Sequence, residues 1–188
     1  MKKRIILLLI VAGFFASHSI AQSKFHILFD YHYNLGLYET ASNKNITRSE
    51  LNMYGNSLHF SALYNLNNRL ALGAGVGVDR YDNPGYNTLP IFATAHYAPL
   101  TKLPDVYAYT NLGYSIGGDN YHSGMVWDLG VGYKWMFSKH FGLNFQFGYD
   151  LKQFRGTPDY TIKNNELEYI GTRSDFRQSL SFGLGLIF

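Results

Sequence analysis

The sequence predicts an all-β chain: a closed, eight-stranded, antiparallel up-and-down transmembrane β-barrel, preceded by a cleavable signal peptide. Three observations predict it. The last thirteen residues alternate strictly, with Phe176, Gln178, Leu180, Phe182, Leu184, Leu186 and Phe188 on one side and Arg177, Ser179, Ser181, Gly183, Gly185 and Ile187 on the other. A period of two marks a strand with one apolar face. Seven further segments alternate in the same way, and the N-terminus reads as an export signal.

Met1-Lys2-Lys3-Arg4 is a basic start, residues 5–16 form a short apolar run, and Ser19-Ile20-Ala21 places small residues where signal peptidase reads them. Cleavage is expected after Ala21, giving a signal peptide at 1–21 and a barrel domain at 22–188. The apolar run is too short for a membrane anchor, because a bilayer of about 30 Å needs roughly 20 apolar residues.

Composition narrows the function classes. The whole chain has a formal net charge of +3, and Lys2, Lys3 and Arg4 account for all of it; 13 basic and 13 acidic residues remain after cleavage. The basic balance belongs to the leader and gives no support for nucleic-acid binding. The chain has no cysteine, which removes disulfides and thiolate metal sites. Aromatic content is high, with 16 Tyr and 14 Phe.

Each segment has a definable apolar face. The first, residues 25–38, sets Phe25, Ile27, Phe29, Tyr31, Tyr33, Leu35 and Leu37 against His26, Asp30, His32 and Asn34. The second, 54–66, sets Leu58, Phe60, Ala62 and Tyr64 against Ser57, His59 and Ser61. The third, 70–81, alternates Leu70, Leu72, Ala74, Val76 and Val78 with Ala71, Gly73, Gly75, Gly77 and Asp79. The fourth, 88–97, turns Leu89, Ile91, Ala93, Ala95 and Tyr97 outward. The fifth, 106–116, opposes Val106, Ala108, Leu112, Tyr114 and Ile116 to Tyr107, Tyr109, Asn111 and Ser115. The sixth, 125–137, opposes Trp127, Leu129, Val131, Tyr133, Trp135 and Phe137 to Asp128, Gly130, Gly132 and Lys134. The seventh starts at Phe141, with Leu143, Phe145, Phe147, Tyr149 and Leu151 opposite Asn144, Gln146, Gly148, Asp150 and Lys152. The eighth is the terminal row.

The apolar rows are expected to meet lipid. Each segment is about 10 to 13 residues, the length of a tilted membrane-crossing strand, whereas strands of soluble proteins run to about 5 or 6. Aromatic residues gather at the segment ends, as interfacial girdles do. A soluble eight-stranded calycin-type barrel would bury large apolar residues inside, and here the inside would be Gly, Ser and charge. In lipid an open sheet edge would leave backbone groups unsatisfied, so the sheet must close.

The connections alternate in length. Asn67-Asn68-Arg69, Ser138-Lys139-His140 and the stretch 98–105 are the short, periplasmic ones; 39–53, 82–87, 117–124 and 153–175 are the extracellular ones. Pairing Phe141 with Phe188 makes the last two strands converge between Asn164 and Asn165, residues that tolerate a two-residue hairpin turn. The flanking Tyr160-Thr161-Ile162 and 167–170 are good strand formers, so a projecting ribbon is expected, with a break or bulge near Pro158.

The inward face carries Asp30, Asp79, Asp128, Lys134, Asp150, Lys152 and Arg177, with His26, His32, His59 and His96. The expected role is a polar network that plugs the lumen, since an eight-stranded barrel is just wide enough to be filled by side chains and its charges must pair. Tyr107, Tyr109 and Phe92 are expected to pack into space left by Gly73, Gly75, Gly77, Gly130 and Gly132. His26 and His32, six apart on one strand, are roughly 20 Å from each other and cannot share a metal. His122-Ser123 lacks a spaced acid partner for nucleophilic chemistry. No catalytic, metal or cofactor site is expected.

The end of the leader at Ile20-Ala21-Gln22, the glycine-alternating strand at 72–77, Thr88-Leu89-Pro90-Ile91-Phe92 and the terminal 183–188 resemble the small outer-membrane β-barrel proteins of Bacteroidetes, similar in plan to OmpX- and OmpA-type barrels. The resemblance implies residence in a Gram-negative outer membrane, with lipid and lipopolysaccharide as surroundings. It also implies that the row Phe182, Leu184, Leu186 and Phe188 resembles the signal read by barrel assembly machinery. It carries no catalytic signature. Lipid A deacylases exist on this fold and need His and Ser on the lipid side, whereas the strand histidines here read inward. The expected role is therefore non-enzymatic, structural or surface-interacting, with a possible extracellular protein ligand at loops one and four; a lipid A-modifying hydrolase and a small-solute pore are the alternatives.

Overall fold

The computed structural model describes residues 24–41, 44–118, 120–163 and 166–188, so the predicted leader and the Asn164-Asn165 turn lie outside the described residues. Its elements are all strands: β1 (Phe25–Ala41), β2 (Lys44–Thr47), β3 (Tyr54–Asn65), β4 (Leu70–Asp82), β5 (Tyr86–Tyr97), β6 (Val106–Ile116), β7 (Gly124–Met136), β8 (Gly142–Lys163) and β9 (Glu166–Ile187). Every pairing is antiparallel. β1 and β3 through β9 pair in sequence order, and β1 then pairs with β9, which closes an eight-stranded barrel. The ninth strand, β2, is outside the wall. It folds back on the end of β1, with Ala41 opposite Lys44, inside what the sequence marks as the first long loop.

Side-chain alternation closes the sheet with its apolar rows outward. Phe60, Val76, Ile91, Leu112, Val131 and Phe147 stand out from the wall, each about half exposed. A water-soluble monomer rarely exposes a continuous apolar belt of this kind, and it is the outer surface of a membrane-spanning barrel. At the end with short turns the belt finishes in touching aromatic rings. Phe25 lies 4.9 Å from Tyr64, Phe137 5.9 Å from Phe141, and Phe141 5.6 Å from Phe188. The turn after β3 is held by Asn67, whose side-chain oxygen accepts from the amides of Arg69 and Leu70 at 2.8 and 2.9 Å, the local bond that suits Asn to turns.

The inside is filled by a simple cross-strand rule: a bulky inward residue sits directly opposite a glycine. Phe92 is paired with Gly75, Tyr107 with Gly132, Tyr109 with Gly130 and His59 with Gly77. The rings therefore lie over the glycines of the adjacent strand. Gly73 departs from the expected role, for it faces backbone at Ala62 and Leu63. A Cβ at Gly132 would collide with the Tyr107 ring. Gly132→Ala is therefore expected to destabilise the barrel by about 1–3 kcal/mol through overpacking, read as a lower urea midpoint in micelles. Gly118→Ala, with nothing within 4 Å, should stay within about 0.5 kcal/mol of the parent.

β8 and β9 carry the predicted register from Gly142 opposite Ile187 to Lys163 opposite Glu166, bracketing the predicted turn. Two bulges interrupt the ladder on opposite strands. The first leaves out Gly156, at φ 81°, and the second falls between Asp159 and Tyr160, with Pro158 between the two. Because one extra residue on each strand cancels, the register beyond the bulges equals the register before them.

One expectation is corrected. The sequence ends the first strand at Tyr38 and leaves Glu39 in a loop, whereas β1 runs to Ala41 and Glu39 is buried. The register against β9 slips between Gly36 and Tyr38. That bulge at Leu37 reverses the inside–outside phase, so Glu39 turns into the lumen.

Candidate functional site

The lumen gathers most of the buried polar groups, and it divides into layers. At the long-strand end Arg177 and Glu39 are fully buried together. Arg177 Nε donates to Glu39 Oε2 at 2.6 Å, and its terminal nitrogens donate to the carbonyls of Asp82 and Asn83, each at 3.0 Å. The guanidinium lies 5.6–5.8 Å from the ring centres of Tyr81, Tyr86 and Phe154, within cation–π range. Tyr86 donates to Asp175 Oδ2 at 3.1 Å, and Arg173 reaches Asp175 at 2.9 Å and Asp159 at 3.0 Å. This clasp ties β1, β4, β5, β8 and β9 across the mouth.

The middle layer is built round Lys152. Its Nζ lies 3.3 Å from Asp79 Oδ2 and 3.9 Å from Asp128 Oδ1. Asp79 also meets His59 Nε2 at 2.8 Å and accepts from Thr88 at 2.9 Å. Asn111 donates to Asp128 at 3.1 Å, and Tyr81 reaches across from β4 to donate to Asp150 at 2.9 Å. Next to these groups is a cavity of about 10 Å3 bordered by His32, Asn34, Tyr109 and Ser181, no larger than one water needs.

The third layer holds Asp30, which accepts from Asn144 at 2.8 Å. Tyr107 donates to Asn144 and accepts from Gln146 at 3.0 Å, and His96 stacks on the Tyr107 ring at 4.5 Å. Lys134 stands apart from the other predicted charges, 5.2 Å from the same ring. Below, Leu28, Leu63, Ala71 and Ile187 form a buried apolar cap.

The predicted network is thus several networks. Asp79, Asp128, Asp150 and Lys152 come together; Arg177 belongs to the clasp at the mouth, and Asp30 and Lys134 to the third layer, at the height of Asn144. The sequence reading missed Glu39, Tyr81, Tyr86, Phe154 and Asp175. A usable signal was the inward Arg177, opposite Lys152 on β8, with Glu39 one residue out of phase after Gly36 on its other neighbouring strand, β1. Phe182, Leu184, Leu186 and Phe188 lie on the outer face of the closing strand, and Phe182 and Leu184 are about half exposed there. Among the described residues no three His, Asp or Glu side chains are grouped as metal ligands. His122 contacts the carbonyl of Arg155 and the ring of Tyr86.

A closed eight-stranded wall with an apolar exterior and a side-chain plug defines a membrane β-barrel of the small, filled class. A scan against protein families finds no match, and neither does a search of curated proteins. Among solved structures the chain is similar to Neisserial surface protein A, with 20% identity, 87% of this chain and 96% of that one covered, and a TM-score of 0.47. It is similar also to the outer membrane protein OprG from Pseudomonas aeruginosa, with 13% identity, 88% and 96% coverage and a TM-score of 0.48. The outer membrane protein AlkL gives 15%, 92% and 94%, and 0.46.

Proposed function

We infer that this chain is an integral outer-membrane protein with a non-enzymatic, surface-interacting role, and that its long-strand end is the interacting end. One observation carries the reading. Beyond the last pairings with β7 and β1, β8 and β9 continue as a two-stranded ribbon paired with each other. Its outer part exposes Tyr160, Ile162, Leu167, Tyr169 and Ile170, between 54% and 74% open. Unpaired strand edges and exposed aromatic residues are what a protein partner recognises by edge pairing. The β2 hairpin on the end of β1 adds a second edge to the same face.

The leader and the terminal Phe182, Leu184, Leu186 and Phe188 row support export and delivery by barrel assembly machinery, in the plan of the OmpX- and OmpA-type barrels. The inward histidines and the plugged lumen favour this reading over a lipid A hydrolase or a pore. Deleting residues 42–48 and 160–170 together is expected to abolish capture of envelope or surface proteins by the intact barrel, while heat-modifiable gel migration persists. Undiminished capture by the deletion variant would remove the idea. Conductance in planar bilayers is expected to be nil, and lipid A acylation, read by mass spectrometry, is expected to be the same with and without the protein.

A further inference from the structure

The outer wall carries a groove of about 380 Å3 on β3 and β4. Its floor includes Leu58 and Val78, paired in register and both open to the outside. Tyr31 and Tyr121 also line it. Two residues further toward the long-strand end the wall changes character. Asn56, Arg80 and Asn87 form one polar row, in register across β3, β4 and β5. Below Arg80 the outward residues of β4 are all apolar: Leu70, Leu72, Ala74, Val76 and Val78.

Arg80 is held in place. Its Nε donates to Asp82 Oδ1 at 3.0 Å and its Nη1 to Asn87 Oδ1 at 3.1 Å, yet 55% of the side chain stays open. Its Nη2 also lies 3.0 Å from Asp82 Oδ1, so of its five N–H groups two remain, one on each terminal nitrogen. Asn87 in turn donates to the carbonyl of Asn120, and its own carbonyl accepts from His122, which ties the loop bearing Tyr121 to this row. The row also sits at the right height. From Leu70 to Arg80 is about 33 Å along a strand, and a tilt of about 40° turns that into roughly 25 Å, the height of the apolar band of a membrane barrel.

We propose that this groove binds a glycolipid of the outward-facing leaflet, with an acyl chain on Leu58 and Val78 and a phosphorylated sugar headgroup on the Asn56–Arg80–Asn87 row. The planar guanidinium suits a phosphate. Asn amides both donate to and accept from hydroxyls, and Asp82 accepts hydroxyls while disfavouring a headgroup that brings only negative charge. The rings of Tyr31 and Tyr121 present apolar faces for the sugar. The proposal rests on the membrane reading of the wall and is independent of the ribbon's role.

Native mass spectrometry of the refolded full chain tests it, with purified bisphosphorylated lipid A, phosphatidylglycerol or phosphatidylcholine added to the detergent. One retained lipid A is expected, in preference to either phospholipid. Arg80→Gln should lower its retention about tenfold, equivalent to about 1.4 kcal/mol. Val78→Trp, which fills the floor from outside, should do the same, and Lys163→Gln on the distant ribbon should change nothing. Equal retention of phosphatidylglycerol would overturn the glycolipid assignment, and equal retention by Arg80→Gln and Val78→Trp would overturn the site. Heat-modifiable migration of every variant separates these outcomes from loss of the barrel itself, whose failure in the parent would instead undo the membrane reading.

Discussion

Lys152→Met is expected to cost the barrel about 3–5 kcal/mol, because it strips the cation from a buried cluster and leaves carboxylates unpaired. Lys152 is fully buried, within 4 Å of both Asp79 and Asp128. Asp150 adds a third carboxylate to the layer, tied across the lumen to Tyr81. His59 is the other basic group in contact, and it is committed to Asp79. Urea unfolding in micelles, followed by tryptophan fluorescence, reads the loss, since Trp127 and Trp135 face outward and report on the surroundings of the wall. Adding Asp128→Asn and Asp150→Asn to Lys152→Met is expected to return most of the stability. The effects of contacting residues do not add, and a triple variant no more stable than Lys152→Met alone would show that the charge cluster is not what fails.

Arg177→Met is expected to be comparably severe, about 3–5 kcal/mol, for the same reason at the other level: Glu39 would be left buried and alone. Here a lysine cannot substitute. Arg177 meets one carboxylate and two backbone carbonyls at once, and a point charge cannot reproduce that planar fork. Arg177→Lys should therefore recover less than half of the loss, whereas Arg177→Met combined with Glu39→Gln should recover more. Conductance should remain nil in all three, because the Lys152 layer and the apolar cap lie beneath the clasp. Ion flow through Arg177→Met would show that the mouth alone seals the lumen.

The fold was legible because its signal is binary. Rows such as Leu70 to Val78 or Phe176 to Phe188 state in their alternation which side meets lipid, and the Phe141–Phe188 pairing sets the register of the last hairpin through to Lys163 opposite Glu166. The clasp was much less legible. Its acid is brought inward by a bulge at Leu37, and a period-two reading has no means of placing an insertion that reverses phase. Tyr81, Tyr86, Phe154 and Asp175 lie at or beyond the segment ends, where tertiary contacts decide how far a strand continues. Gly75 and Gly132 were recognisable as space. That each would be filled by the residue directly opposite it depended on a register that alternation alone leaves open between most strands.

The long β8–β9 ladder gives the molecule a mechanical character. The partner proposed for the ribbon would pull along the strand axes. Withdrawing that hairpin from the wall would mean sliding β8 against β7 and β9 against β1 together, so many hydrogen bonds would be loaded in parallel. Peeling apart one pair at a time is the much weaker geometry, and it is not the one this connection offers. The ribbon is therefore joined to the barrel as a tether is joined to an anchor.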